Sequence, residues 1–277
     1  MNDLDETTFA EEVQTAGEFL SPVRANLLFA REIAYPDLRP SVYLHQLKDL
    51  AEAAARAIGG GDIAARAQAL AGFLFQQQGF RGNRAEFNDP RNSFLNEVLT
   101  RRLGLPISLS VLFLHIGQQL GLPVQGVGMP GHFIVGVAAE AGPLYLDPFN
   151  GGRPLTRGQC LELVQQATGY QGRFDARWLA PTSPRDIVAR MLNNLRNVYS
   201  QAEDWPHTLS VIERLRELQP EEPAHVRDMG MVLYHLGALR RAAESLTEYL
   251  ALAPNARDAD QVRQSRNLLW DELARQH

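Results

Sequence analysis

Apolar residues recur at three- and four-residue spacing over residues 44–57 (LHQLKDLAEAAARA) and 63–78 (IAARAQALAGFLFQQQ), with Gly59-Gly60-Gly61 between them. That spacing predicts two amphipathic helices with a break, and the helical reading extends over residues 20–78 as a cap or packing layer. Residues 79–93 (GFRGNRAEFNDPRNS) read as loop. A helix over 94–102 is expected next, with Ser93 placed to cap its N-terminus. Pro106 suits the first position of the following helix, where a missing N–H forfeits no helical hydrogen bond. That helix should run to about Leu120 and end at Gly121-Leu122-Pro123. Residues 124–127, 132–138 and 143–147 then read as short strands. Helices followed by antiparallel strands make this part α+β.

Beyond a mixed connector over 165–184, every segment is again helical. Leu218-Gln219-Pro220 and Leu252-Ala253-Pro254 lie 34 residues apart, and each closes an apolar-periodic helix preceded by another helix. This is the tetratricopeptide period. Superposition by that interval places Tyr199 on Leu233, Leu209 on Ala243, Ile212 on Leu246 and Leu218 on Leu252. About two repeats fit, and a last helix over 258–275 is expected to cover the exposed end. The chain therefore divides into a flexible N-terminus over 1–19, an α+β domain over 20–183 and an all-α repeat region over 184–277.

Composition narrows the function. The 277 residues are 45% hydrophobic and 21% charged, and the net charge of −5 comes from interspersed acids and bases. No basic stripe offers phosphate neutralisation, so nucleic acid is not an expected partner. The acidic start MNDLDETTFAEEVQ does not read as a secretory signal, and the apolar stretch around 107–116 is too short to span a bilayer. No membrane association is expected, and the setting should be cytoplasmic. A single cysteine, Cys160, excludes an internal disulfide and a cysteine-based zinc cage.

The candidate chemistry lies in Gly131-His132-Phe133 and, fifteen residues after the histidine, Asp147-Pro148-Phe149. If the hairpin loop is centred between Glu140 and Ala141, paired residues sum to 281. His132 then faces Phe149, and Asp147 faces Ile134. Side chains alternate across a strand, so His132, Asp147 and Phe149 share a face and the carboxylate reaches the imidazole diagonally. An odd loop would separate them.

Gly-Leu-Pro-Ile-Ser-Leu-Ser-Val-Leu-Phe-Leu (104–114), Leu-Gly-Leu-Pro (120–123), Pro-Gly-His-Phe (130–133) and Asp-Pro-Phe (147–149) resemble the core of the transglutaminase-like superfamily. With Gln-Gly-Phe-Arg-Gly-Asn (78–83) and Asp-Pro-Arg-Asn-Ser-Phe-Leu-Asn (89–96), the chain resembles the bacterial SirB-one branch, in which tetratricopeptide repeats follow that domain. The resemblance implies a papain-like core with a small antiparallel sheet over 20–183, the family's histidine at His132 and its aspartate at Asp147. It also implies that the nucleophilic cysteine of catalytic relatives falls on Pro106, which has no nucleophile. The branch resembled tends to carry proline there.

Ser108 and Ser110 lie two and four residues beyond Pro106, about 200° and 400° round the helix, and Ser110 sits roughly 5.4 Å deeper along the axis. Ser110 is the alternative nucleophile. Cys160 reads as a buried structural thiol outside the core, and His115 as structural. Arg91, Asn92 and Asn96 either cap a loop-helix junction or line the cleft with Pro106, Ser108 and Phe149. No ligand spacing suggests a metal, the glycines at 126, 128, 131, 151 and 152 lack a phosphate fingerprint, and no cofactor is expected. The expectation is a non-catalytic protein that binds a protein or peptide through the repeats or the cleft. The alternative is a hydrolase or acyl-transfer enzyme of peptidase or amidase type using a non-cysteine nucleophile with the His132–Asp147 pair.

Overall fold

The computed structural model describes residues 4–275, so the first three residues of the expected flexible N-terminus lie outside the described part. Residue contacts divide the chain into two compact units: Tyr35–Met191 with the segment ending at Arg31, and the chain from Leu192 onward with Glu32–Ala34.

The first unit opens with α1 (Phe9–Ala16), which corrects the expectation of a flexible segment. Thr8 and Glu11 form a reciprocal capping box and Phe9 is fully buried against Phe29, so local and tertiary terms both hold the helix. Helices α2 (Pro22–Ile33), α3 (Pro40–Ala57) and α4 (Ile63–Ala71) follow, and a π-helical turn over Gly72–Gln77 continues α4. The expected 79–93 loop contains β1 (Arg81–Gly82) and a 3-10 turn over Pro90–Ser93, and α5 (Leu95–Arg101) comes next. Strand β2 (Leu103–Gly104) pairs with β1 in parallel.

Helix α6 (Pro106–Gln119) is the centre of this unit. It is apolar around its circumference, as a helix enclosed on all sides must be, and it packs on α3, α4 and α5 as well as on the sheet. Phe75, from the π-helical turn, stacks on Phe113 at a centroid separation of 6.3 Å. The sheet is an antiparallel meander of β3 (Val124–Met129), β4 (His132–Ala139), β5 (Gly142–Asp147) and β6 (Arg153–Leu155), in that order. Its other flank receives α7 (Arg157–Thr168), which buries Cys160 with Val127, Met129, Ile134 and Val164. The thiol thus belongs to the α+β core and not to its outside.

The second unit begins within α8 (Pro184–Gln201), not ahead of it, and continues through α9 (Trp205–Leu218), α10 (Pro223–His235), α11 (Leu239–Leu252) and α12 (Ala259–Arg275). Both ends of α9 and α11 are offset by the 34 residues that the prolines mark. Tyr199 and Leu233 are both buried, as are Ile212 and Leu246. The equivalence fails at the helix ends: Leu218 is fully buried whereas Leu252 is 55% exposed. Asp258 pins the start of α12 by accepting from Tyr249 Oη at 2.5 Å and Arg227 Nη1 at 2.6 Å. No helix among the described residues is long and apolar enough to cross a membrane.

Ser93 does not cap α5. The N-cap position falls on Phe94, and the Ser93 hydroxyl has no hydrogen-bond partner. Asn26, from α2, takes over: its Oδ1 accepts from the Leu95 N–H at 2.7 Å and its Nδ2 donates to the Ser93 carbonyl at 2.8 Å. Asn26 is fully buried, and its removal leaves a buried donor and acceptor unpaired. We therefore expect Asn26→Ala to lower stability by about 2–4 kcal/mol. Urea unfolding should show a lower midpoint at unchanged slope, and an unchanged midpoint would contradict the capping role.

Candidate functional site

Pairing in the β4–β5 hairpin runs from Ala139 opposite Gly142 to Val135 opposite Leu146, and each pair sums to 281. The register is the even-loop one. The ladder stops short of the expected Ile134–Asp147 and His132–Phe149 pairs. Pro148 has no N–H to donate, and the chain turns there into a 3-10 segment, Pro148–Asn150, that Asp147 caps. Phe149 leaves the strand plane but still meets His132, with ring centroids 6.1 Å apart in an edge-on arrangement.

His132 starts β4 directly after the turn at Gly131, whose φ of +69° favours glycine. A Cβ on Gly131 would lie 2.5 Å from the Ala167 Cβ, so glycine also permits the close passage of α7. Arg190 of α8 ties this turn down by donating from Nη2 to the Met129 and His132 carbonyls, both at 2.8 Å. Its guanidinium is over the Phe133 ring, and burial lowers its pKa.

The His132 Nε2 lies 3.0 Å from Asp147 Oδ1. Asp147 is fully buried and His132 is 7% exposed. A carboxylate only accepts, so Nε2 carries the shared proton, and Nδ1 is an acceptor whenever the ring is neutral. The Asn150 N–H also donates to Oδ1, at 3.3 Å, and the Asn150 amide donates to Oδ2. Burial opposes the charge on Asp147, but its hydrogen bond with His132, the charge of His132 and the Asn150 bonds hold its carboxyl below the ordinary value.

The imidazole lines an open cleft of about 750 Å³. Pro106 and Phe149 line it too, together with Arg81, Arg84, Phe87 and Arg153. A Cβ on Gly82 would come within 2.5 Å of the Phe149 ring, so that residue must be small for the aromatic wall to form. No lining residue bears a thiol or an aliphatic hydroxyl. Chemically the pair offers an oriented base and hydrogen-bond acceptor with no nucleophile to activate.

Other residues considered as site members lie elsewhere. Ser108 is buried and acts within the helix start: its Oγ accepts from Leu105 N at 2.9 Å and donates to the Asn92 carbonyl at 2.7 Å. Ser110 is buried, and its Oγ donates to the Phe133 carbonyl at 3.4 Å. Asn92 is fully buried and does not line the cleft; its Nδ2 donates to the Glu86 and Phe87 carbonyls at 2.7 and 3.2 Å and so shapes the loop that delivers Phe87. Asn96 is buried outside the lining. Arg91 pairs with Asp89 beside it. His115 lies within 2.9 Å of Gln119 Nε2, and burial lowers its pKa. Burial, with the nearby charge of Asp147, pushes the Cys160 thiol up to about 11, far from a reactive thiolate.

Asn150, Arg84 and Arg190 escaped the sequence reading. Asn150 had a local signal, since Asp-Pro-x-Asn is a capped turn in which the last residue returns to the first. Arg84 and Arg190 reach the site over long sequence separations and had none.

Residues 41–193 match the family described as the Transglutaminase-like superfamily, and residues 195–267 match the Tetratricopeptide repeat. A UPF0162 protein of Xylella fastidiosa is 37% identical over 250 residues, which cover 89% of each chain. F-box only protein 21 of Mus musculus is 34% identical over 130 residues, covering 44% of this chain and 20% of that protein. Among solved structures, a crystal structure of menin aligns over 94% of this chain and 74% of its own, at 11% identity and a TM-score of 0.46.

Because the folded pKa of Asp147 lies below its unfolded value, its stabilisation is complete above roughly pH 4 and is lost as pH falls through the folded value. Asp147→Asn should therefore cost about 2 kcal/mol at neutral pH. The gap to the parent should narrow on acidification in denaturant titrations run at several pH values. A gap independent of pH would contradict the charged pairing.

Proposed function

The chain belongs to the transglutaminase-like superfamily, in the UPF0162 group and with tetratricopeptide repeats behind the domain, and on that premise we propose that it is a non-catalytic, peptide-binding protein of the cytoplasm. One observation carries this reading: the buried His132–Asp147 pair opens onto a cleft whose walls include Pro106 and offer no nucleophile. Proline at the first position of α6 starts the helix well and ends covalent catalysis through a side chain at that position. The two serines on the same helix support the reading, since both hydroxyls are buried and hydrogen-bonded to main-chain carbonyls.

What remains is recognition. A partly enclosed groove with aromatic walls and one oriented acceptor suits an extended peptide better than a flat protein surface. Repeat modules of this kind are interaction surfaces in general, and the second unit adds that capacity to the chain.

Two measurements test the proposal. A broad fluorophosphonate probe should leave the wild-type protein unlabelled, and labelling that disappears in both Ser110→Ala and His132→Ala would overturn it. A random-peptide display library panned on the full chain should yield binders whose capture falls about tenfold in Phe87→Ala, a loss of roughly 1.4 kcal/mol. Phe87 is 47% exposed, so its truncation should spare the fold. Binders indifferent to Phe87→Ala would remove the cleft from the proposal. The geometry itself is checked by Pro106→Cys, whose thiol should titrate below the free value of about 8.5 when followed by iodoacetamide; a free-cysteine value would show that Pro106 does not occupy the nucleophile position.

A further inference from the structure

The cleft beside His132 is positive in a chain whose net charge is −5. Three guanidinium groups line it, Arg81 from β1, Arg84 from the loop that follows and Arg153 from β6, and the lining contains no aspartate or glutamate. Several arginines elsewhere are paired with carboxylates: Arg24 with Glu12, Arg101 with Asp89 and Arg227 with Asp228. No ion pair among the described residues involves Arg81 or Arg153.

The placement is fixed by the backbone. Arg81 lies opposite Leu103 in the short parallel pair, and Arg153 lies opposite Asp147 itself in the β5–β6 ladder. Arg84 is oriented over the Phe149 ring at 5.3 Å and donates to Asn150 Oδ1, so it joins the chain of bonds that ends at His132. Like charges gathered around one cleft repel each other, and an anion relieves that cost while gaining charge-assisted, bidentate hydrogen bonds.

From this arrangement we infer that the cleft takes an acidic peptide segment, its carboxylates on Arg81 and Arg153 and an apolar side chain against Phe87 and Phe149. The inference rests on the peptide-binding reading and adds the chemistry of the ligand. Separate segments supply the guanidinium groups, which suits carboxylates spaced along an extended chain. The carboxylates come from glutamate and aspartate side chains or from a free chain terminus.

Fluorescence polarisation with the full-length protein distinguishes the outcomes. The probes are a labelled octapeptide of alternating Glu and Leu, the same peptide with Gln for Glu, and each with a free or amidated C-terminus. The Glu peptide should bind about tenfold tighter than its Gln counterpart, and added salt should weaken it. Arg81→Ala combined with Arg153→Ala, both at exposed positions, should reduce that preference to less than about twofold. Sensitivity to C-terminal amidation assigns the carboxylate to the chain end, and insensitivity assigns it to the side chains. Equal binding of the Glu and Gln peptides, a preference that survives the double substitution, or displacement by inorganic phosphate would overturn the inference while leaving peptide binding intact. No binding by any of the peptides would overturn both.

Discussion

A buried carboxylate must be paired, and the site of this protein follows from how Asp147 is paired. Taken out of water without partners, it would protonate or destabilise the fold. Its oxygens are instead met by the His132 ring, the Asn150 main chain and the Asn150 amide. Each partner fixes something further. His132 anchors the start of β4, Asn150 closes the turn after β5, and Arg84, held on that asparagine, draws the loop after β1 toward the cleft. One desolvated charge thereby links the two strands of a hairpin to a turn and, through Asn150, to a loop 66 residues earlier.

The same economy means that the architecture does not depend on a thiol at the position of Pro106. Helix α6 is enclosed on all sides, and its start is satisfied by Ser108 and by the loop carbonyl of Asn92, neither of which needs a cysteine. The His–Asp pair is likewise held by local bonds and by Arg190 under its turn. Such a site keeps an oriented pocket without a nucleophile in its lining, because stability and chemistry depend on different atoms.

The hairpin was legible because an even loop puts His132 and Asp147 on one face, and a turn between Ala139 and Gly142 sets the register in which they meet diagonally. The helical layer and the 34-residue repeat were legible for the same reason, as periodicities that burial imposes on sequence. What escaped reading was non-local. Ser93 looked like a cap, but Asn26, nearly seventy residues earlier, supplies it. Residues 9–16 looked loose although Thr8 and Glu11 cap them locally, because the packing of Phe9 on Phe29 lies outside any window around them. Ser108 and Asn92 stand close to Pro106 in sequence or motif, yet spend their polar atoms inside the scaffold, and Asn96 is buried outside the lining, while Arg84 and Arg153 enter it through topology.

His132 is held on Asp147 through Nε2, and its proposed role is to offer Nδ1 to a ligand that the protein does not transform. Nitrogen-detected NMR of the protein labelled at histidine, recorded while a cleft-binding peptide is added, tests this directly. A protonated Nε2 should persist throughout, the Nδ1 resonance should move as peptide binds, and dilution should restore the free spectrum with intact peptide. Protonation at Nδ1 in the free protein, a Nδ1 resonance indifferent to the peptide, or a cleaved or covalently attached peptide would contradict it.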